Sequence, residues 1–138
     1  MSRPRILGWV LFAASACIAA DTGWMKHISE AERARTNPWA NQPEAIAGGS
    51  RLFADHCAKC HGKDALGRGK RPNLRTQEVQ QATDGEIFWL LKNGYLAKGM
   101  PSWSSLPEPS RWQIIAYVKS LGELGAADSA NPSPRKQP

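Results

Sequence analysis

Cys57-Ala58-Lys59-Cys60-His61 holds the densest chemistry in this 138-residue sequence: two thiols three residues apart, with an imidazole at once behind them. At the end of a helix, that spacing lets both thiols add to the two vinyl groups of one porphyrin. The next side chain then projects onto the iron, which is the c-type haem attachment pattern. Other chemistries use the same residue types. A Cys-x-x-Cys redox motif wants a strand before it and a helix after it, whereas here a helical pattern comes first. A zinc site wants four ligands, and Cys57, Cys60 and His61 are three from one short stretch. The third cysteine, Cys17, lies close to the N-terminus. The motif is therefore read as the attachment site of one covalent haem c, with its iron.

Haem iron takes a ligand on its other face, and a sulfur donor raises the reduction potential. Beyond Met1 the chain has two methionines. Met25 stands in a polar stretch. Met100 stands in Gly99-Met100-Pro101-Ser102-Trp103, where glycine and proline fix a loop that can aim a thioether. A methionine that merely fills the core fits the same local sequence. His27 and His56 are expected to be solvated or capping residues, because His27 lies in the polar stretch and His56 precedes Cys57 on the helix.

Three helices must position these groups, and no strand is convincing. The first is expected from about Pro43 to His56, capped by Asn41 with Glu44 three residues on, with Ile46, Gly49, Phe53 and Cys57 on one face. The second is expected from about Asp84 to Asn93. Thr83-Asp84-Gly85-Glu86 reads as its capping box and Gly94 as its stop. The third is expected from about Glu108 to Leu121, with Pro109 in its first turn, a stripe of Trp112, Ile115 and Val118, and Gly122 as its end. A long stretch punctuated by glycine and proline, His61 to Ala82, joins the first two helices.

Four regions follow. Residues 1–20 read as an export signal, with Arg3 and Arg5 as its basic start, an apolar run from Ile6 to Ala20, and small residues at Ala19 and Ala20 that suit cleavage. Competing readings are a lipoprotein signal acylated at Cys17 and an uncleaved anchor. All three put the remainder outside the cytoplasm, in the periplasm or an equivalent space. Residues 21–42 form a polar N-terminal extension with a short helix at Ser29 to Arg35 and no clear apolar stripe. Residues 43–122 form the folded domain, and residues 123–138 read as a disordered tail.

With 41% hydrophobic residues and a mean hydropathy of -0.47, the whole is not a membrane protein. Ten prolines and twelve glycines imply many turns around a modest core, which a bound apolar cofactor would enlarge. The six tryptophans suit a flat aromatic ligand as well as an ordinary core. The formal charge is +6, which loss of Arg3 and Arg5 and the addition of two propionates would bring down to mildly basic. Nucleic-acid binding is a poor explanation of so small a charge.

The residues resemble a known family, the small class I c-type cytochromes, and among them the bacterial haem domains of oxidase subunits and dehydrogenase electron acceptors. The resemblance covers about Pro43 to Gly122. It rests on Cys57-Ala58-Lys59-Cys60-His61-Gly62, Arg71-Pro72-Asn73-Leu74, Gly99-Met100-Pro101 and the closing run Trp112 to Leu121. It implies an all-α cytochrome c fold, three main helices wrapped around one covalently attached haem. It also implies His61 and Met100 as the axial iron ligands, with the Pro72 carbonyl accepting a hydrogen bond from the second His61 nitrogen. Gly49 and Phe53 are implied to pack against Trp112 and its neighbours, and Trp103 or Arg75 to reach a propionate.

The expected function is single-electron transfer between redox partner proteins, a dehydrogenase or a terminal oxidase, with no catalytic residue of the chain's own. The chain would work as a monomer or as a subunit of a complex. Lys59, Lys63, Arg68, Lys70, Arg71 and Arg75 crowd the segment that would frame the haem. Such a run is ordinarily a solvated face; the sharper reading is a docking ring for an acidic partner. A haem enzyme, peroxidase-like or a sulfur-compound oxidase with a displaceable methionine, is the alternative. A sensor and a haem-free disulfide module are more distant ones.

Overall fold

Helical periodicity dominates the computed structural model, which describes residues 23–130. Residues 1–22, which include the expected export signal and Cys17, and residues 131–138 lie outside the described residues. Six α-helices run in order: α1 Glu30–Arg33, α2 Pro43–His56, α3 Ala58–His61, α4 Gln77–Gln81, α5 Asp84–Asn93 and α6 Glu108–Ala130. Two 3-10 turns, Gly23–His27 and Leu96–Lys98, complete them. Among the described residues the only β-type pairings are isolated bridges, Arg68 with Arg71 and Tyr95 with Met100. No helix among them is long and apolar enough to cross a membrane.

The frame is the crossing of α2 and α6, the most extensive helix–helix contact. Gly49 makes that crossing possible. A Cβ there would stand 1.9 Å from the Gln113 carbonyl oxygen and 2.9 Å from Tyr117 Cβ. Phe53, one turn on, packs its ring 5.3 Å from that of Tyr117. The resemblance implied Trp112 and its neighbours as the partners of this face. Its neighbours Gln113 and Tyr117, named with it, meet Gly49 and Phe53, while Trp112 itself stacks on Phe88 of α5, with centroids 4.1 Å apart. A single α6 thus glues two helices, which explains why its apolar residues spread around it. Phe53, Phe88 and Ile115 are essentially fully buried, each worth about 1.5–3 kcal/mol of transfer energy.

Local signals set the helix ends where they are strong. Thr83 and Glu86 make the expected capping box, with the Glu86 amide donating to Thr83 Oγ1 and the Thr83 amide to the Glu86 carboxylate. Two ends differ from expectation. Asn41 does not cap α2; it sits at φ +61°, and Gln42 occupies the cap position with Pro43 in the first turn. Gly122 does not stop α6, which runs on to Ala130 through residues expected to begin the tail. At Gly122 the missing side chain serves a close contact instead, since a Cβ there would lie 2.4 Å from Gln80 Oε1. The Gln80 side chain in turn donates to the carbonyls of Leu74 and Val118. Its helix, α4, lies inside the stretch expected to be loop; Lys119 from α6 donates to the Gln80 and Ala82 carbonyls at its C-terminal end.

The polar extension also behaves differently from its composition. Asn37 is buried, and its side-chain amide donates to the Trp112 carbonyl at 2.9 Å. Its backbone amide donates to Asp84. The Arg35 guanidinium lies 4.2 Å from the centroid of Phe88 and also pairs with Glu108. Gly85 lets the extension approach, because a Cβ there would be 2.0 Å from the Glu32 carbonyl. The extension is therefore part of the folded body, strapped across the first turns of α5 and α6. Many of its contacts are polar or cationic, and its few apolar ones, such as the buried Ile28, form no stripe in the sequence.

Candidate functional site

Between α2, α4, α5 and α6 lies one cavity of about 870 Å³, within the ~300–1,000 Å³ range of small-molecule and cofactor sites. Cys57, Cys60, His61, Pro72 and Met100 all line it, together with apolar side chains such as Phe53, Leu91, Ile114 and Val118. All five residues singled out as a site thus reach one space, from segments 43 residues apart in sequence at the extremes.

The His61 side is built locally. Helix α2 ends at His56, and Cys57 serves both as its C-cap and as the N-cap of the single turn α3. The His61 and Cys60 amides donate back to the Cys57 carbonyl, so the motif is one rigid turn. Cys57 is buried and Cys60 exposed, and no disulfide joins them. Burial, and secondarily the neighbouring Cys60, pushes the Cys57 thiol up to about 12. Among the described residues no group of three or more His, Cys, Asp or Glu side chains converges to hold a metal ion.

After α3 the chain doubles back. The Gly67 amide donates to the His61 carbonyl at 2.8 Å and the Leu74 amide to that of the fully buried Ala65. Gly67 adopts φ +87°, and a Cβ there would meet the Arg71 carbonyl at 2.5 Å. Only glycine permits so tight a return, and the return carries Pro72 back to the histidine. His61 Nδ1 donates to the Pro72 carbonyl at 3.1 Å. That bond occupies Nδ1 and holds the ring's orientation, so Nε2 is the nitrogen that could coordinate a metal.

The Met100 side is held from a distance. Tyr95 and Met100 exchange both backbone hydrogen bonds, at 2.8 and 3.1 Å, around the 3-10 turn. Gly94 brings this loop against the backbone of Pro101 and Ser102. Beyond Met100, the Trp103 amide donates to the Leu91 carbonyl at 2.8 Å. Arg71 Nη1 donates to the Lys98 carbonyl at 2.7 Å. Arg111, buried in α6, donates through one nitrogen to the carbonyls of Trp103, Ser104 and Leu106. Among the described residues its Nε has no hydrogen-bond partner, and its guanidinium lies 4.9 Å from the Phe88 centroid. The cation placed there fastens the loop that carries Met100 through charge-assisted bonds.

Other expected residues fall as follows. His27 is exposed. His56 is half-buried, lines the cavity and packs on Trp103 with centroids 5.3 Å apart, so it is neither simply solvated nor a cap. Arg75 uses Nε on the Asp64 carbonyl at 2.8 Å, and Arg71 is tied to Lys98 as above, so two of the six basic residues brace the loops. Lys59, Lys63, Arg68 and Lys70 are exposed. Two cavity residues, Trp24 and Met25, come from the extension. Sequence reasoning set Met25 aside because its neighbours are polar; the two large apolar side chains, adjacent in an otherwise polar stretch, were the available signal.

The residues present fit a covalently attached porphyrin. The cavity is large and mainly apolar, two thiols stand on its wall, and a histidine with one nitrogen engaged by the Pro72 carbonyl has the other that could serve as a ligand.

Comparison with known proteins points the same way. A family model described as "Cytochrome C oxidase, cbb3-type, subunit III" matches residues 44–118. The subunit CcoP of the cbb3-type cytochrome c oxidase of Rubrivivax gelatinosus is 36% identical over 84 residues, which are 59% of this chain and 28% of that protein. Cytochrome c550 of Pseudomonas aeruginosa is 28% identical over 88 residues, 61% of each. The chain therefore spans under a third of the CcoP relative's length and under two thirds of that of cytochrome c550. Among solved structures, cytochrome CL of the marine methylotroph Methylophaga aminisulfidivorans superposes with a TM-score of 0.55 at 26% identity, covering 75% of either chain. The fold is accordingly the all-α cytochrome c fold. The chain belongs to the cbb3-type cytochrome c oxidase subunit III family of class I c-type cytochromes, which carry covalently bound haem c with its iron.

Proposed function

We propose that this chain is an exported monohaem cytochrome that passes single electrons between redox partner proteins, with Cys57 and Cys60 as the thioether anchors and His61 and Met100 as the axial ligands. The observation that carries the proposal is that all four side chains line one cavity while His61 Nδ1 is already committed to the Pro72 carbonyl. The bound haem supplies a reversible one-electron couple at its iron. The chain's part is to hold still. Cys57 and Cys60 retain the cofactor in a small domain. The Pro72 carbonyl fixes the imidazole and raises its basicity. The anchored loop around Met100 keeps a thioether available in both oxidation states, and the apolar wall limits water.

Export rests on the basic start and apolar run of residues 1–20, with acylation at Cys17 as the rival for how the chain is held. Lys59, Lys63, Arg68 and Lys70 are exposed beside the motif and suit encounter with an acidic partner, a dehydrogenase or a terminal oxidase.

The test is the absorption spectrum of the exported protein, oxidised and reduced, with its intact mass. A mass raised by one haem and a ferric near-infrared methionine–iron band are expected. A bare polypeptide mass would overturn the proposal, and a haem protein without that band at neutral pH would favour the haem-enzyme alternative.

A further inference from the structure

The family match begins at residue 44, yet the cavity has a wall that comes from before it. We propose that Trp24 and Met25 belong to the haem site. They form a strap, the 3-10 turn Gly23–His27, which closes one side of the cavity against the porphyrin and is latched through Arg33 to Glu86. The inference rests on the haem reading above and extends it to residues that reading does not use.

The strap buries no residue completely and has no core of its own, so its placement must come from elsewhere. Arg33 supplies it. Nη2 donates to the Met25 carbonyl at 2.5 Å, while Nη1 pairs with the Glu86 carboxylate. Glu86 is almost buried and already tied to the Thr83 amide by the capping box of α5, so the latch has a rigid end. The chain between strap and helix is seated as well. Ile28 is buried, Thr83 Oγ1 donates to the Arg33 carbonyl at 3.0 Å, and the Gly85 contact leaves no room for a side chain. A planar guanidinium donating in two directions is suited to such a bridge.

The chemistry of the two side chains matches the task. An indole and a thioether are large, apolar and polarisable, and both pack well on aromatic faces. Neither brings charge into the cavity. By taking the place of water beside the macrocycle they lower the local dielectric and restrict access of small ligands to the iron, the levers by which a surrounding shell tunes a redox centre. Met25 is a wall residue here, distinct from the axial role given to Met100.

The test uses the holoprotein labelled with [methyl-13C]methionine, read by NMR in the ferrous and ferric states, with Met25→Leu to assign the signal. The Met25 methyl should be displaced by the porphyrin ring current in the ferrous form and move again on oxidation. In Arg33→Met that displacement should collapse, and cyanide should bind ferric iron about ten-fold faster, as expected when a local closure is opened, with the Met100 methyl unchanged. A Met25 methyl at its ordinary position in both states, beside a displaced Met100 methyl, would overturn the strap and leave the haem site standing. Loss of the methionine–iron band in Met25→Leu would overturn it too, by making Met25 the ligand. A wild-type protein with no haem would instead bring down the functional reading itself.

Discussion

The two arms of the site are built on different principles. The His61 arm closes within itself: the thiols, the imidazole and the carbonyl that orients it lie between Cys57 and Pro72, joined by backbone bonds of short range. The Met100 arm borrows its rigidity from Leu91, Arg71 and Arg111, which stand on three different segments. One arm is a consequence of local chain geometry; the other exists only once the helices have packed. The difference teaches where the site should yield first. The histidine side should persist in partly unfolded states, while the methionine side should be lost when α5 or α6 is disturbed.

The harshest test removes the local arm. Replacing Cys57 and Cys60 together by alanine should abolish covalent haem, with the intact mass falling to that of the polypeptide. Met100→Ala should do less. The haem stays attached by mass, but the methionine–iron band disappears and added imidazole binds the ferric iron at once. If imidazole still had to compete, another side chain would be filling the sixth position.

A smaller effect separates the arms without touching either ligand. Arg111→Met removes the donor to three carbonyls and should cost about 1–3 kcal/mol in chemical denaturation. Imidazole should then displace Met100 about ten-fold more readily while the haem remains attached. Equal loss on both arms would refute the asymmetry. The mildest change is Arg71→Ala, which deletes the bond from the His61 loop to the Lys98 carbonyl. It should cost about 1 kcal/mol, seen as a slightly lower denaturation midpoint with an unaltered spectrum.

Legibility followed the same division. The attachment motif, the α2 and α5 spans and the Thr83–Glu86 capping box are local patterns, and each could be read along the chain. The docking of residues 23–42 could not. Asn37, Arg33 and Arg35 are ordinary polar residues until Trp112, Glu86 and Phe88 stand opposite them. Gly122 looked like a stop because glycine often ends helices, but here its lack of a side chain admits Gln80. Helix α4 was hidden because a five-residue segment offers too few turns for a periodic signal.

By itself, then, the sequence determined that two thiols and an imidazole stand together in one five-residue run, because their spacing is a matter of covalent chain geometry. Only the tertiary structure decided what walls the cavity and what steadies the Met100 loop. Those depend on a buried guanidinium, on close backbone approaches at Gly49 and Gly85, and on a strap whose partners lie some 50 residues downstream. Such contacts have no period or spacing along the chain; they arise when helices settle at distances that side-chain volume and hydrogen-bond geometry permit.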